Sequence, residues 1–139
     1  MKRILVAHDG SKSSDKALKK ALAIAETFNS AVTVLSVVPE LYLTELMEMD
    51  RTRIVDSLTE ETKRMMEKIK SKPRKIKSLK TLIRQGNPAE EILETAKKIK
   101  ADVIVTGSHG RHGAQKFLLG SVSSKVVDHA ECDVLVVKK

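Results

Sequence analysis

The sequence predicts an α/β domain in which five parallel strands form one sheet with helices on both faces. Short apolar runs alternate along the chain with longer segments whose apolar residues recur every three to four positions, five of the first kind and four of the second. The runs are apolar at consecutive positions, as in Ile4-Leu5-Val6-Ala7, so both faces of each strand are buried. Parallel sheets covered by crossover helices have this character and give a three-layer sandwich. The polar residues are also placed tellingly: Asp9 follows the first run and Gly107 the fourth. Ligands of open α/β sheets bind beyond the carboxyl ends of the strands, where the strand order reverses. If strands one and four are neighbours there, the two loops face one crevice.

Ile4 to Ala7 is the first strand, ending at His8-Asp9-Gly10. A serine-rich turn, Ser11 to Ser14, leads into a helix with Ala17, Leu18, Ala21, Leu22, Ala25 and Phe28 on one face, stopped at Asn29-Ser30. Ala31 to Val38 is the second strand, broken by Pro39. Leu41 to Met49 reads equally as loop or early helix. From Asp50 the helical period is clear, with Ile54, Leu58, Met65 and Ile69 in step, ending before Pro73. Ile76 to Arg84 is a third strand whose lysines suit a sheet edge. Asn87-Pro88-Ala89-Glu90 starts the third helix with an Asn cap and Pro at the first position; Ile92, Leu93, Ala96 and Ile99 face the core. Val103 to Val105 is strand four, Val122, Val126, Val127 and Ala130 mark helix four, and Val134 to Val137 is strand five.

The chain of 139 residues is one domain over residues 1–139, long enough for a core without disulfides or metals. Aromatics make up 2% (Phe28, Tyr42 and Phe117), so the core is aliphatic and base-stacking platforms are lacking. One cysteine, Cys132, excludes an internal disulfide, offers no metal-ligand spacing and suits a small buried residue before the last strand. No apolar run approaches the ~20 residues of a membrane span, and the expectation is a soluble, cytoplasmic protein. Net charge is +8, from 26 Lys+Arg against 18 Asp+Glu. The lysines run from Lys2 to Lys139 and read as a solvated surface. The densest cluster, Lys68 to Lys80, lies around a helix end, where cations suit the dipole.

Residues Ala101 to Lys125 carry the chemistry. Strand four ends in Thr106 and Gly107; a glycine-rich loop follows, with His109, Gly110, Arg111, His112 and Lys116. It closes on Gly120, Ser121, Ser123 and Ser124 at a helix start. In a strand, glycine loop and helix start, backbone N–H groups and the positive end of the helix dipole converge on one point, which suits a phosphate. Neither G-x-x-x-x-G-K-[ST] nor G-x-G-x-x-G occurs. The spacing by itself also fits an ordinary long βα loop with glycines for turns.

Gly107-x-x-Gly110, nine residues, then Gly120-Ser121, together with Asp9 after strand one, resembles the universal stress protein family. The resemblance spans essentially the whole chain: ILVAHDGS at the start, TGSHGR and LLGSVSSKVV in the middle, CDVLVVK at the end. It implies an adenine-nucleotide α-hydrolase-like sheet in order 3-2-1-4-5, and the intact glycine motif resembles that of the ATP-binding members. Carried over, Asp9 with Ala7 and His8 would lie near adenine and ribose, and Val37 would pack on the adenine. Thr106, Gly107, His109 and Gly110 would line the ribose and phosphate side. Gly120, Ser121, Val122 and Ser123 would hold the phosphates through N–H groups and hydroxyls. The implied cofactors are ATP or AMP, with Mg²⁺ or Mn²⁺ held on the nucleotide's phosphates rather than by the protein alone.

Each role has a plainer counterpart. Asp9 can bridge the serine turn, His109, His112 and His129 can be solvated, Arg111 and Lys116 can face water, and Phe117-Leu118-Leu119 can anchor the loop. Strand five would be an edge with no charge before Lys138, which with the resemblance points to a homodimer through paired edges. The reading is an ATP-binding stress-response module, hydrolysing slowly at most, since no Walker lysine, general base or arginine finger stands out. The alternatives are a dimeric stress protein that binds no nucleotide, a receiver domain that accepts phosphate, and a basic nucleic-acid binder. The receiver needs clustered acids after strand one and an acceptor Asp after strand three, where this chain has Asp9 alone and Arg84-Gln85-Gly86. Nucleic-acid binding rests on charge alone.

Overall fold

The computed structural model describes residues 1–40, 48–109 and 119–138. The elements are β1 (Arg3–Ala7), α1 (Lys12–Phe28), β2 (Ala31–Pro39), α2 (Glu48–Ser71), β3 (Ser78–Gly86), α3 (Pro88–Ile99), β4 (Val103–Gly107), α4 (Ser121–His129) and β5 (Asp133–Val137). All strand pairings are parallel and the order is β3-β2-β1-β4-β5. β1 therefore sits between β2 and β4, and the order reverses there: Val6 pairs with Val34 on one side and Val105 on the other.

The core has two halves, one on each face of the sheet. Ile4, Val6, Val32, Val34, Val103 and Val105 pack against Ala17, Leu18, Ala21 and Ala25 of α1 and Met66 and Ile69 of α2. Leu5, Leu35 and Ile104 pack against Ala89, Ile92 and Ala96 of α3 and Val126 of α4. Successive strand residues point to opposite faces, which is why the central strands must be apolar throughout.

Local signals set the helix ends. Ser11 Oγ accepts the Ser14 N–H at 3.1 Å and caps α1; Asn29 ends it in the left-handed conformation at φ 51°. Asn87 accepts the Glu90 N–H at 3.1 Å, with Pro88 in the first turn of α3. Asp102 Oδ2 accepts the N–H groups of Lys2 and Arg3, each at 2.8 Å, and ties the start of β1 to that of β4.

Some expectations need correction. Phe28 is 60% exposed, because it lies in the last turn of α1, beyond the sheet that the earlier turns cover. Ile54 and Val127 are exposed too, although in step with buried neighbours. β2 runs through Pro39 instead of ending at Val38, and Pro39 pairs with Gly86 of edge strand β3. β3 starts at Ser78, and Ile76 packs on the core from the preceding loop. Cys132 is half-buried against the α3–α4 half of the core, and that burial pushes its thiol pKa up. Of the ambiguous stretch 41–49, residues 41–47 lie outside the described residues, and Glu48 and Met49 open α2.

Candidate functional site

At the carboxyl ends of β1, β2 and β4, Ala7, Val37 and Thr106 share one face by strand alternation. It is the face covered by α3 and α4, where Ala7 and Val37 are half-buried against the core. Thr106 is buried, its Oγ1 3.3 Å from the Gly107 carbonyl. These three residues form a floor, apolar at Ala7 and Val37, beside the point where the strand order reverses.

His8 turns the other way. Its side chain is buried, with Nε2 2.8 Å from Asp15 Oδ1 in the first turn of α1. Its Nδ1 accepts the Gly10 N–H at 3.1 Å. An accepting ring nitrogen carries no proton, so the proton is on Nε2 and is donated to Asp15. Asp9 accepts the Ser11 N–H at 2.9 Å. Burial pushes its carboxyl pKa up, but hydrogen bonds from Ser11 and Ser14 outweigh this and hold it below the ordinary value. Asp9 thus bridges the serine turn while remaining an ionised, half-buried group at the end of β1.

Gly107 has a packing reason to be glycine. A Cβ there would lie 2.4 Å from Ser13 Oγ and 2.9 Å from the Ser13 backbone. The start of α1 is therefore pressed against the end of β4, and the His109 N–H reaches Ser13 Oγ at 3.4 Å.

Ser108, which sequence reasoning did not single out, organises the site. Its N–H donates to Val137 O at 3.0 Å, and its carbonyl accepts the Gly120 N–H at 2.8 Å and the Ser123 hydroxyl at 3.3 Å. The start of α4 is thereby hung on the end of β4, although eleven residues separate Ser108 from Gly120 in the chain. The only sequence signal for Ser108 was its place between Gly107 and His109. Its own hydroxyl lies 2.8 Å from His109 Nδ1.

α4 differs at its start from α1 and α3. Its N-cap is Gly120, with no side-chain hydrogen bond to the first turn, whereas Ser11 and Asn87 cap the other two. A helix start without an internal cap directs N–H donors and partial positive charge outward. Ser121 is exposed there, Val122 packs into the core beneath it, and Ser123 is buried with its hydroxyl on the Ser108 and Gly120 carbonyls.

The structure thus brings together Ala7, Asp9, Val37, Thr106, Gly107, His109 and the Gly120–Ser123 turn around the β1 and β4 ends. It directs the His8 side chain to α1. Gly110, Arg111, His112, Lys116, Phe117 and Leu118 lie outside the described residues. Leu119 is 42% exposed and does not serve as the expected core anchor. His129 is exposed and, among the described residues, bonds only to the Lys125 carbonyl, at 3.0 Å. Among the described residues no three His, Cys, Asp or Glu side chains are grouped to hold a metal ion, and no helix is long and apolar enough to cross a membrane.

Comparison with known proteins agrees with this architecture. The family model described as the universal stress protein family matches residues 1–138. A universal stress protein of Methanocaldococcus jannaschii is 39% identical over 99% of this chain and 82% of its own length. The solved structure of universal stress protein UspA from Lactobacillus plantarum is 30% identical, with TM-score 0.88 over 98% of this chain and 97% of that one. A universal stress protein in complex with cAMP (23% identical, TM-score 0.64, 99% and 96% covered) shares the fold. So does an Arabidopsis thaliana family protein with AMP bound (21% identical, TM-score 0.60, 100% and 92% covered). This chain belongs to the universal stress protein family.

Proposed function

We propose that this chain binds an adenine nucleotide, ATP foremost, between the ends of β1 and β4, and that its nucleotide state is what it presents to a protein partner in the cytoplasm. The observation that carries this reading is the start of α4. It has a glycine cap, no side-chain acceptor on its first turn, and a tether through Ser108 that points it at the reversal of strand order. Phosphate would supply the missing acceptor. Ala7 and Val37 would form the wall for the adenine, and Asp9 would accept from a sugar hydroxyl or base amino group. Two proteins of this fold, known with cAMP and with AMP, support the class of ligand.

A divalent cation would come with the nucleotide, coordinated mainly by phosphate oxygens and water. Its chemistry would be charge neutralisation at the phosphates; the chain's part is to orient them on the α4 N–H groups. Hydrolysis would be slow at most. The working form would be a homodimer paired through β5, the sheet edge whose Val134–Val137 run carries no charge.

Calorimetry with ATP, AMP and cAMP on nucleotide-free protein tests the site. The parent chain should bind ATP, and Gly120→Val should bind at least tenfold more weakly with unchanged circular dichroism. Equal binding by the variant would move the phosphates elsewhere, and a parent chain inert to all three nucleotides would end the proposal.

A further inference from the structure

Seven of the 26 Lys and Arg residues fall in the 13 residues from Lys68 to Lys80, with no Asp or Glu among them. The rest of the chain holds 19 cations against all 18 acids, so this segment carries nearly the whole net charge of +8. The change is abrupt: residues 48–67 of α2 hold four cations and six acids.

Part of the cluster has a structural use. Lys68 and Lys70 lie in the last turn of α2, where the dipole favours cations, and the Arg74 guanidinium donates to the Ile69 and Lys72 carbonyls that end the helix. Lys72, Lys75, Lys77 and Lys80 lie beyond the helix, and all four are exposed. Among the described residues none of the six lysines is ion-paired. Lysines elsewhere do meet acids: Lys97 with Glu131, Lys98 with Glu94, Lys63 with Glu60. Like charges crowded without counter-charges cost stability, and the fold offers these four no return.

The topology gives the cluster a shape. Lys77, Lys80 and Arg84 are exposed along β3 and the residue before it, and β3 is an edge of the sheet. At about 3.3 Å per residue Lys77 and Lys80 lie about 10 Å apart at the amino end of β3, on opposite sides of the edge, whereas Arg84 pairs with Val37 at the carboxyl end. The Lys77 N–H donates to Ser30 O at 3.2 Å, and two residues before Ser30 stands Phe28, the 60% exposed aromatic side chain. A cluster of exposed lysines with an exposed ring beside it fits a polyanion that carries flat bases. A lipid surface would call for a broader set of apolar side chains to insert than the exposed Phe28 and Met1.

We propose that the Lys68–Lys80 segment, with Phe28, binds single-stranded nucleic acid without sequence preference, at the pole of the sheet remote from the nucleotide crevice. The lysines would track phosphates and Phe28 would stack on one base. The inference does not depend on the nucleotide reading.

Fluorescence anisotropy of a labelled mixed-sequence 20-nucleotide DNA strand, titrated with full-length protein from 50 to 200 mM salt, tests it. Binding should fall with salt with a log–log slope of about −3, for four phosphates neutralised. Lys72→Glu/Lys75→Glu/Lys77→Glu should bind at least tenfold more weakly at 50 mM salt with a flatter slope. Phe28→Ala should lose about fivefold or more. The control Lys16→Glu/Lys19→Glu/Lys20→Glu makes the same charge change on the exposed face of α1 and should bind within about twofold of the parent. Equal weakening by the control would reduce the effect to net charge and overturn the proposal. So would a parent chain that does not bind at 50 mM salt, a Phe28→Ala variant as tight as the parent, or binding to phosphatidylserine vesicles but not to DNA.

Discussion

At the scale of single residues, Asp9 and Gly107 show how one position serves both packing and chemistry. The Asp9 carboxyl is held below its ordinary pKa of 3.8 by the hydrogen bonds of the serine turn, against the opposing effect of its own burial. A group whose pKa is depressed on folding stabilises the protein above its unfolded pKa and loses that contribution as pH falls through the folded value. Acid unfolding should therefore deepen below about pH 3.9, and Asp9→Asn should flatten the stability curve there while leaving its shape between pH 6 and 8 unchanged, as measured by urea denaturation. Gly107 is constrained differently. A methyl group would collide with the Ser13 backbone as well as its hydroxyl, and backbone cannot step aside as a flexible side chain can. Gly107→Ala should cost about 1–3 kcal/mol, seen as a lower thermal midpoint. The motif reading assigned this glycine to a ligand; packing against α1 accounts for it equally well.

At the scale of elements, the caps were readable because they are local. Asn87-Pro88-Ala89-Glu90 folds as its residue types dictate, and Asn87→Ala should destabilise the protein by about 1 kcal/mol in denaturant titrations. The start of α4 was readable only in part. Gly120-Ser121 marked a helix beginning, but its attachment to Ser108 crosses the loop and involves a carbonyl that no side-chain pattern can announce. Ser123 illustrates the same limit: its residue type suited a phosphate, whereas its hydroxyl donates to two carbonyls inside the fold. Periodicity also failed at the ends of helices. Phe28 continued the apolar stripe of α1 in step, yet a stripe is buried only as far as the sheet beneath it extends.

At the scale of the whole molecule, the sheet has two unlike edges. β3 carries Lys80 and Arg84, which discourage pairing with another strand, while β5 is apolar from Val134 to Val137. Val134, Leu135 and Val137 pack on the core, and half-buried Val136 belongs to neither half of it. Val136→Lys should therefore convert the proposed dimer to monomer in sedimentation velocity without lowering monomer stability by more than about 1 kcal/mol. A parent chain that sediments as a monomer would remove the dimer.

The five-stranded α/β class, the number of elements and the placing of Asp9 and the glycines beyond strand ends were determined by the sequence itself. Continuous apolar runs, helical periods and caps act over a few residues and need no partner to be read. The strand order came from family resemblance rather than from any local signal, and the pairings of β1 with β2 and β4 bear it out. Only the tertiary structure decided which face each residue serves: His8 on Asp15, Gly107 against Ser13, Ser108 holding the start of α4, Phe28 left in water. Each depends on atoms brought together from distant parts of the chain, where the available space and the direction of a hydrogen bond, rather than residue type, settle the outcome.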